Sequence, residues 1–276
     1  MNKTLSGSEL AGFIKERQAR AVRSLRQAHG IKPKLAIIVT VEDPVIEIYM
    51  KLKKRYGEDI LVDVDIHRVP QSQALNLIKE LNQEDLVHGT IVQLPLEDPT
   101  QTDAIVNSVA PGKDVDALGE NATHDPATPT AILWLLAGYN VDLKNDRKVV
   151  LVGKGKLVGR PLERMLLNSG VNVVACDQKD DLKQELSTAD VIITATGTPN
   201  VLNSDMIPPN AVVVDAGVAV EQGVAKGDLA DDVFTRDDLT ITPKKGGVGP
   251  LTICALFENV IKAAKATETS NSSKSQ

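Results

Sequence analysis

The chain has few of the residues that hold small secreted or metal-bound folds together, and it lacks long apolar runs. Of its 276 residues, only two are cysteine and 3% are aromatic. Cys176 and Cys254 lie far apart, with no second cysteine or histidine at ligand spacing, so neither a disulfide framework nor a metal site is expected. Both cysteines are expected to be small buried residues. No apolar run approaches the roughly 18 residues of a membrane span, so no membrane partner is expected.

Excess positive charge and a secretory signal are also lacking. The net charge of −6 argues against a general nucleic-acid-binding surface, and MNKTLSGSEL at the start has no apolar core of the kind that directs secretion. We therefore expect a cytoplasmic protein with no nucleic-acid partner. The length and the 42% hydrophobic content are sufficient for sizeable cores in two domains.

Helical patterns alternate with short β-branched runs, which is typical of parallel sheets covered by helices. The predicted strands are at 34–40, 60–67, 89–96, 148–153, 171–176, 190–196, 211–217 and 239–242. The predicted helices are at 6–28, 45–57, 71–82, 101–109 and 130–138, with others between most of the later strands. The fold class is therefore α/β, with two domains and a cleft between them.

The predicted domain boundaries follow this pattern. The first α/β domain covers 1–128 and is completed by a C-terminal helix at 250–265, and a Rossmann-type nucleotide-binding domain covers 129–249. The last stretch, ATETSNSSKSQ at 266–276, is polar and poor in large apolar residues, so a disordered tail is predicted there.

A glycine-rich segment follows the first strand of the second domain. GKGKLVGRP comes after KVVLV and before an apolar helix, so backbone N–H groups at a helix N-terminus are placed as a pyrophosphate requires. Its G-x-G-x-x-x-G spacing is one residue longer than the usual dinucleotide fingerprint, and a purely structural strand-to-helix turn is the alternative. The candidate cofactor-binding residues of this segment are Gly153, Lys154, Gly155, Val158 and Gly159.

Two residues of this domain give opposite indications for the coenzyme. Asp177 ends the next strand, where a carboxylate commonly bonds the adenosine ribose and discourages a 2′-phosphate. Lys154 favours the phosphate, because a cation at that point can pair with it. The residues alone leave the choice between NAD and NADP open.

Candidate chemistry in the first domain comes from three segments. Tyr49 and Lys53 are four residues apart on a predicted helix and share one face, although most helical lysines are simply solvated. Gln93 ends a strand of buried character, where parallel sheets place ligands. Asp114 and Asp116 in PGKDVDALG are further candidates, although aspartate is also common in turns for its own backbone hydrogen bonding.

A second glycine-rich segment, TPKKGGVGPLT at 242–252, precedes the last predicted helix. Three glycines in four positions indicate a tight turn or backbone pressed against a ligand, since glycine gives up the most backbone freedom on folding. Pro250 suits the first turn of the helix, where its missing N–H has no intrahelical partner. A helix-entry loop with no ligand is the alternative.

In this order, the segments resemble the bifunctional methylenetetrahydrofolate dehydrogenase/cyclohydrolase family, from about Lys34 to about Lys265. The family's Y-x-x-x-K helix appears as YMKLK, its VQLPL segment is intact, its KDVDG appears as KDVDA and its PCTP as PATP. Its GRSxxVGxP loop appears as GKGKLVGRP, its VDVGIN as VDAGVA, and its TPVPGGVGPMT as TPKKGGVGPLT.

The resemblance implies oxidation of 5,10-methylenetetrahydrofolate to the methenyl compound with NADP, followed by hydrolysis to 10-formyltetrahydrofolate. It also implies a homodimer that serves one-carbon metabolism and purine biosynthesis. The residues it makes catalytic are Lys53, Gln93 and Asp116, and those it makes substrate-binding are Tyr49, Gly247 and Pro250. The residues it places at the cofactor are Gly153, Lys154, Gly155, Val158, Gly159, Asp177, Gly197 and Val218.

The hydrolytic step sets a requirement on the lysine. Lys53 can accept a proton near neutrality only if its pKa falls from about 10.4 toward roughly 7 to 8, through burial or neighbouring cations. The hydride step needs orientation and stabilisation of positive charge, which the folate nitrogens largely supply, so no metal is required.

The chain also departs from the family pattern. Near the folate residues, a serine, a glycine and a cysteine of the family are replaced by Ile46, Ala117 and Ala127, and the segment between Asp116 and Pro126 is shorter. On the cofactor side, the replacements are Lys154 and Gly155 for arginine and serine, Cys176-Asp177-Gln178 for C-H-S, and Ala219 for asparagine. Lys244 and Lys245 replace an apolar residue and a proline, which predicts a more flexible and more basic turn.

These departures keep several alternatives open. One is an NAD-dependent or monofunctional dehydrogenase of the same family. Another is a different two-domain Rossmann oxidoreductase, and a third is a catalytically lapsed folate or nucleotide binder.

Overall fold

The computed structural model describes residues 3–221 and 224–273 of the chain. The helices are α1 (Gly7–His29), α2 (Pro44–Ile60), α3 (Gln71–Gln83), α4 (Thr102–Val106), α5 (Ala127–Gly138), α6 (Gly159–Asn168), α7 (Leu182–Leu186) and α8 (Val248–Ser273). The strands are β1 (Lys3–Thr4), β2 (Lys34–Val39), β3 (Asp63–Arg68), β4 (Gly89–Val92), β5 (Val149–Val152), β6 (Val173–Cys176), β7 (Val191–Thr194), β8 (Val212–Asp215), β9 (Ala219–Glu221), β10 (Val224–Lys226) and β11 (Thr240–Ile241). The predicted alternation of helices and strands is confirmed.

The chain divides into two compact units, each made of two segments. The six-stranded unit comprises Met1–Ala11 and Thr128–Thr252, and the three-stranded unit comprises Gly12–Ala127 and Ile253–Gln276. The predicted first domain began at residue 1, but the structure assigns the opening residues to the other unit. The reason is β1, which pairs in parallel with β11.

The three-stranded unit contains a parallel sheet in the order β3-β2-β4. The side chain of Asp43 caps α2 by accepting hydrogen bonds from the backbone N–H groups of Val45 at 2.7 Å and Ile46 at 3.1 Å. The prediction that α2 ends at Gly57 was wrong, because the helix continues to Ile60. A Cβ on Gly57 would lie 2.5 Å from Val64 Cγ2, so glycine serves close packing of the helix on β3 and not helix termination.

The six-stranded unit contains an entirely parallel sheet in the order β1-β11-β8-β7-β5-β6. All four residues of β5 are fully buried, which matches its unbroken apolar sequence. Two features were not predicted: the short edge strand β1, and an antiparallel pair formed by β9 and β10. These strands have only two or three residues each, which is too short to show a strand periodicity.

The last helix, α8, begins at Val248 and carries Pro250 in its first turn, as predicted. It continues to Ser273, whereas the sequence predicted a disordered tail from residue 266; residues 274–276 of that tail lie outside the described residues. Each residue added to an existing helix gains a backbone hydrogen bond, so a long buried helix can extend into polar sequence.

Two further predictions concern exclusions. Both cysteines are free and buried, which confirms that Cys176 and Cys254 are core residues. Among the helices that the structure describes, none combines the length and the apolar character needed to cross a membrane.

Candidate functional site

The three-stranded unit brings Lys53 and Gln93 together from different elements. Lys53 projects from α2, and Gln93 directly follows β4, where its backbone N–H donates to Ile38 O at 2.9 Å. The Lys53 Nζ atom donates a hydrogen bond to Gln93 Oε1 at 2.8 Å. The Gln93 amide is oriented by its own Nε2, which donates to Leu94 O at 2.8 Å. The glutamine therefore presents an acceptor, and not a donor, to the lysine.

Two opposing effects act on the pKa of Lys53, and the net shift is downward. Burial lowers the pKa of the Lys53 ammonium below its ordinary value, and the nearby Asp116 carboxylate opposes this effect. Burial in turn raises the pKa of Asp116, with Lys53 acting in the opposite direction. The lowered pKa of Lys53 is thus caused by desolvation, while the neighbouring cations of α2, such as Lys54 and Arg55, are exposed.

The two aspartates of PGKDVDALG have different surroundings. Asp114 is buried, and its carboxylate accepts a hydrogen bond from the Gly119 backbone N–H at 2.8 Å, which is the turn-forming arrangement. The Asp116 carboxylate, in contrast, accepts no hydrogen bond from any residue that the structure describes, and its charge acts on Lys53. Asp116 is therefore the aspartate with free acceptor capacity beside the lysine.

The turn around Asp116 is held by a helix and contains one strained residue. Asn259 of α8 is buried, and its Nδ2 donates to Val115 O at 2.9 Å and to Asp125 O at 2.8 Å. These two bonds connect the ends of the shortened segment. Ala117 has a φ of 55°, in the left-handed region where glycine is favoured.

Tyr49 lies one turn before Lys53 on α2, and both side chains are partly buried. An aromatic ring, an amine, an amide and a free carboxylate are thus presented by one unit. A neutral amine held by an amide oxygen can accept a proton, and the carboxylate can accept hydrogen bonds from N–H groups of a ligand.

In the six-stranded unit, the glycines between β5 and α6 have separate roles. Gly153 has a φ of 113°, and a Cβ on it would lie 2.6 Å from Ala195 O. A Cβ on Gly159 would lie 1.9 Å from Gly153 O, so this glycine permits close contact between the loop and α6. A Cβ on Gly155 would meet nothing within 4 Å. The first two glycines are required by the fold, whereas Gly155 borders open space.

In the first turn of α6, Gly159 is the one residue whose backbone N–H has no acceptor among the residues that the structure describes, since Arg160 N is bonded and Pro161 has no N–H. Val158 occupies the N-cap position, and no side chain caps the helix there. Its backbone C=O accepts from Leu162 N at 2.9 Å, and Gly155 O accepts from Arg160 N at 3.0 Å. This geometry, in which a strand, a glycine loop and an uncapped helix start follow one another, suits an anionic ligand group.

Asp177 lies directly after β6 and is exposed, as is Lys154 in the glycine loop. Cys176 is the last residue of β6, and the pKa of its thiol depends on the charges around this end of the strand. Burial raises the pKa of Cys176 to about 11, assisted by Glu185 and Asp180 and opposed by Lys154. Asp180 and Lys154 therefore both lie within electrostatic range of the end of β6.

Gly197 and Val218, the other predicted cofactor residues, lie in loops after β7 and β8. Gly197 is exposed with a φ of 66°, and Val218 is 57% exposed. The loop that carries Gly197 is held by Asp228, whose Oδ2 accepts from Thr196 N at 2.7 Å and whose Oδ1 accepts from Thr198 N at 3.0 Å.

The buried Asp228 and the partly buried Asp215 were missed by the sequence reasoning. The Asp215 Oδ1 atom accepts from Gly217 N at 3.0 Å and from Asp228 N at 3.0 Å. A Cβ on Gly217 would lie 1.9 Å from Asp228 Oδ1, and one on Gly227 would lie 2.0 Å from Asp215 Oδ2. Each aspartate is thus matched with a glycine, and the D-x-G and G-D pairs in the sequence were the available signal.

The loop containing Gly246 and Gly247 is fixed against the start of α1. Ser8 N donates to Gly246 O at 2.9 Å, and a Cβ on Gly7 would lie 1.8 Å from Gly247 O. Gly246 has a φ of 80°, and Gly247 is buried. Tight packing therefore accounts for part of the glycine content.

Lys244 in the same segment is not a free cation. Its Nζ lies 2.5 Å from Asp231 Oδ1 and 4.9 Å from the centroid of the Phe234 ring. In the predicted flexible, basic turn, Lys244 is thus paired with Asp231, and both Lys244 and Lys245 are exposed.

Comparison with known proteins supports the resemblance to the dehydrogenase/cyclohydrolase family over nearly the full chain. The family model described as "Tetrahydrofolate dehydrogenase/cyclohydrolase, catalytic domain" matches residues 5–116, and the one described as "Tetrahydrofolate dehydrogenase/cyclohydrolase, NAD(P)-binding domain" matches residues 126–268. The "Bifunctional protein FolD" of Campylobacter jejuni strain RM1221 is 36% identical over 277 residues, which cover 95% of this chain and 98% of that protein. The protein of the same description from Bacillus subtilis is 34% identical over 279 residues, with the same coverage.

Solved structures agree with the sequence relatives. The crystal structure of the bifunctional FolD enzyme from Campylobacter jejuni has a TM-score of 0.89 at 35% identity, covering 97% of this chain and 100% of that one. The Trypanosoma brucei dehydrogenase-cyclohydrolase, solved with NADP cofactor and inhibitor, has a TM-score of 0.89 at 25% identity, covering 96% and 98%. The α/β fold and the resemblance inferred from the sequence are confirmed. The chain belongs to the tetrahydrofolate dehydrogenase/cyclohydrolase family.

Proposed function

We propose that this protein oxidises 5,10-methylenetetrahydrofolate to the methenyl compound and then hydrolyses that compound to 10-formyltetrahydrofolate. The observation that carries the proposal is the hydrogen bond of 2.8 Å from Lys53 to Gln93, with the Lys53 pKa lowered by burial. This arrangement supplies the proton acceptor that hydrolysis needs, in a chain whose family performs both reactions.

The dehydrogenase step depends on the six-stranded unit for the coenzyme. NADP, the coenzyme implied by the resemblance, or NAD supplies the hydride acceptor when bound. Gly153 and Gly159 shape the loop, and Gly155 leaves space for backbone to approach a pyrophosphate. Lys154, Val158, Gly197, Val218 and Asp177 complete the proposed coenzyme site.

The three-stranded unit holds the folate in this proposal. Asp116 accepts hydrogen bonds from N–H donors of the pterin ring, and Tyr49 packs on the folate with its aromatic face. The resemblance also makes Gly247 and Pro250 substrate-binding residues, and both remain part of the proposal. Developing positive charge on the methylene bridge is delocalised over the folate nitrogens, so the protein's task in the hydride step is orientation.

In the hydrolytic step, Lys53 manages the proton. Water attacks the methenyl carbon, and neutral Lys53 accepts a proton from it as the new C–O bond forms. The bond from that carbon to N5 then breaks, the hydroxyl group loses its proton as the carbonyl forms, N5 takes up one proton, and the formyl group remains on N10. Overall, one water is consumed and one proton is released. Gln93 fixes the amine for this transfer through its Oε1 acceptor.

A coupled assay of the purified full-length protein tests the proposal. Methylenetetrahydrofolate and coenzyme are mixed, and the absorbances of the reduced nicotinamide and of the methenyl compound are followed together. We expect reduced nicotinamide to accumulate while the methenyl absorbance stays low, because hydrolysis removes it. Accumulation of methenyl compound would reduce the function to a monofunctional dehydrogenase. No turnover with either coenzyme would support a lapsed binding protein.

The remaining features of the proposal concern the setting of the enzyme. We place it in the cytoplasm as a homodimer formed through the nucleotide-binding domains, and its product serves purine biosynthesis. The support is family membership. Light scattering on the purified protein should give twice the monomer mass of 29.6 kDa, and a monomer mass would remove the dimer from the proposal.

A further inference from the structure

We infer that Asp177 binds the adenosine ribose of the coenzyme and that this protein uses NAD in preference to NADP. The inference rests on the proposed dehydrogenase function and names its coenzyme. The two coenzymes differ at one place, where NAD has a ribose 2′-hydroxyl and NADP has a 2′-phosphate. A phosphate needs hydrogen-bond donors and positive charge around it, whereas a hydroxyl can donate to a carboxylate.

The segment after β6 has few donors left for a phosphate. The Asp177 backbone N–H donates to Asp180 Oδ2 at 2.6 Å, and the Asp180 N–H donates to Asp177 O at 3.0 Å. The Gln178 backbone N–H donates to Asp177 Oδ1 at 2.7 Å, and its side-chain Nε2 donates to Thr198 Oγ1 at 2.9 Å. These donors are already engaged within the protein.

The same segment does have a free acceptor. One Asp177 oxygen, Oδ1, accepts from Gln178, and no residue that the structure describes donates to the other, Oδ2. The residue is exposed at the carboxyl end of a strand next to the glycine loop, where Rossmann-type sheets hold the adenosine ribose. Asp177 Oδ2 is therefore available to a ribose hydroxyl.

The local charge also opposes a 2′-phosphate. Three carboxylates lie in this short segment, at Asp177, Asp180 and Asp181, and the cations are Lys179 and Lys154. Asp180 and Lys154 act on the same strand end with opposite sign, so the nearest carboxylates offset the lysine. A doubly charged phosphate there would lie beside the carboxylates of this segment, whose repulsion its one lysine, Lys179, offsets only in part. Lys154 is left for the pyrophosphate, which both coenzymes carry.

The test compares the two coenzymes with the full-length protein and two variants. In steady-state assays with saturating methylenetetrahydrofolate, we expect kcat/KM for NAD to exceed that for NADP by about tenfold or more. Asp177→Ser should lower kcat/KM for NAD and raise the NADP to NAD ratio by about tenfold or more. Asp205→Ser removes the same charge from an exposed position outside the segment and should leave the ratio unchanged.

Direct binding separates this inference from the proposed function. Calorimetric titration of the same three proteins with NADH and NADPH needs no folate. Tighter NADH binding that depends on Asp177, in a protein without turnover, would retain the coenzyme inference and remove the dehydrogenase. A wild-type preference for NADP or NADPH, a ratio unaffected by Asp177→Ser, or binding of neither dinucleotide would overturn the inference.

Discussion

The two candidate sites are built in different ways. In the three-stranded unit, the site consists of side chains whose functional groups meet, with Lys53 bonded to Gln93 at 2.8 Å and in electrostatic range of Asp116. In the six-stranded unit, the glycine loop between β5 and α6, which is the proposed coenzyme loop, depends on missing side chains, since a Cβ on Gly159 would lie 1.9 Å from Gly153 O. The first site should therefore be sensitive to chemical identity at constant volume, and the second to added volume.

The largest effect is expected for the change of Lys53→Met, which nearly preserves side-chain length but removes the proton acceptor. General-base contributions of about 10² to 10⁴ predict a loss of hydrolysis of that size. Thermal stability should also fall, because Gln93 Oε1 loses its donor and Asp116 loses its neighbouring amine. The measurement is the rate at which added methenyltetrahydrofolate is hydrolysed.

The matched control is Lys51→Met, at an exposed position on the same helix, which should keep the wild-type rate. If Lys53→Met hydrolysed the substrate normally, Lys53 would have no part in the mechanism.

Added volume should have the next largest effect, in the coenzyme loop. Gly159→Ala places a methyl group against Gly153 O, and overpacking of this kind costs about 1 to 3 kcal/mol of unfolding free energy. Gly155→Ala meets nothing in the protein and should unfold like wild type, but its methyl group should weaken coenzyme binding. Denaturant unfolding and coenzyme titration measure the two effects. Equal stability losses in both variants would contradict the distinction between the two glycines.

A smaller effect, on pH dependence, follows from the charge of Asp116. Hydrolysis requires neutral Lys53, so the rate should rise with pH up to the Lys53 pKa. The Asp116 carboxylate raises that pKa. Asp116→Asn removes this influence, so the acidic limb of the kcat profile should move to lower pH.

Asp114→Asn is the control, because Asp114 is not among the groups that shift the Lys53 pKa. The acidic limb of the kcat profile of this variant should stay at the wild-type pH. Where Asp116→Asn binds folate too weakly for kinetics, the pH dependence of Lys53 acylation in the free protein reports the same ionisation. If the acidic limb of the Asp116→Asn profile moved to higher pH, the Asp116 carboxylate would not be raising the pKa of Lys53.

The smallest effect is expected at Ala117, where the family pattern has glycine. A φ of 55° costs alanine about 1 to 2 kcal/mol, and glycine avoids this cost. Glycine also loses more backbone entropy on folding than alanine does, which offsets part of the gain. Ala117→Gly should therefore stabilise the protein by about 0.5 to 1 kcal/mol. Ala21→Gly, inside α1, should destabilise it by about 1 kcal/mol. Denaturant midpoints compare the two, and a loss of stability in Ala117→Gly would refute the strain argument.

Much of the fold followed from periodicity, and the exceptions have local causes. Buried strands such as β5 are unbroken apolar runs, so they stand out from the amphipathic helices around them. Gly57 looked like a helix end, but its role depends on Val64 from another element, which no local pattern contains. The β1 strand is two residues long and exposed, so only its partner β11 defines it as a strand.

The candidate site was predictable as a set of residues but not as a geometry. Spacing placed Tyr49 and Lys53 on one helical face, and Gln93 at the end of a strand. Spacing alone did not separate the two aspartates, although the resemblance singled out Asp116, and the structure shows Asp114 accepting from Gly119 N in the turn. The Asp215 and Asp228 pairing depends on contacts between separate loops, and so it was missed.

The pairing of β1 with β11 has a consequence for biosynthesis. Lys3 and Thr4 are made long before their partners Thr240 and Ile241, because the two strands are far apart in the sequence. The edge of the six-stranded sheet therefore stays incomplete until Thr240 and Ile241 have been made, and the residues of the three-stranded unit up to Ala127 emerge before then. Pairing across so long a sequence separation is a slow step, so closure of this edge should be among the last events of folding.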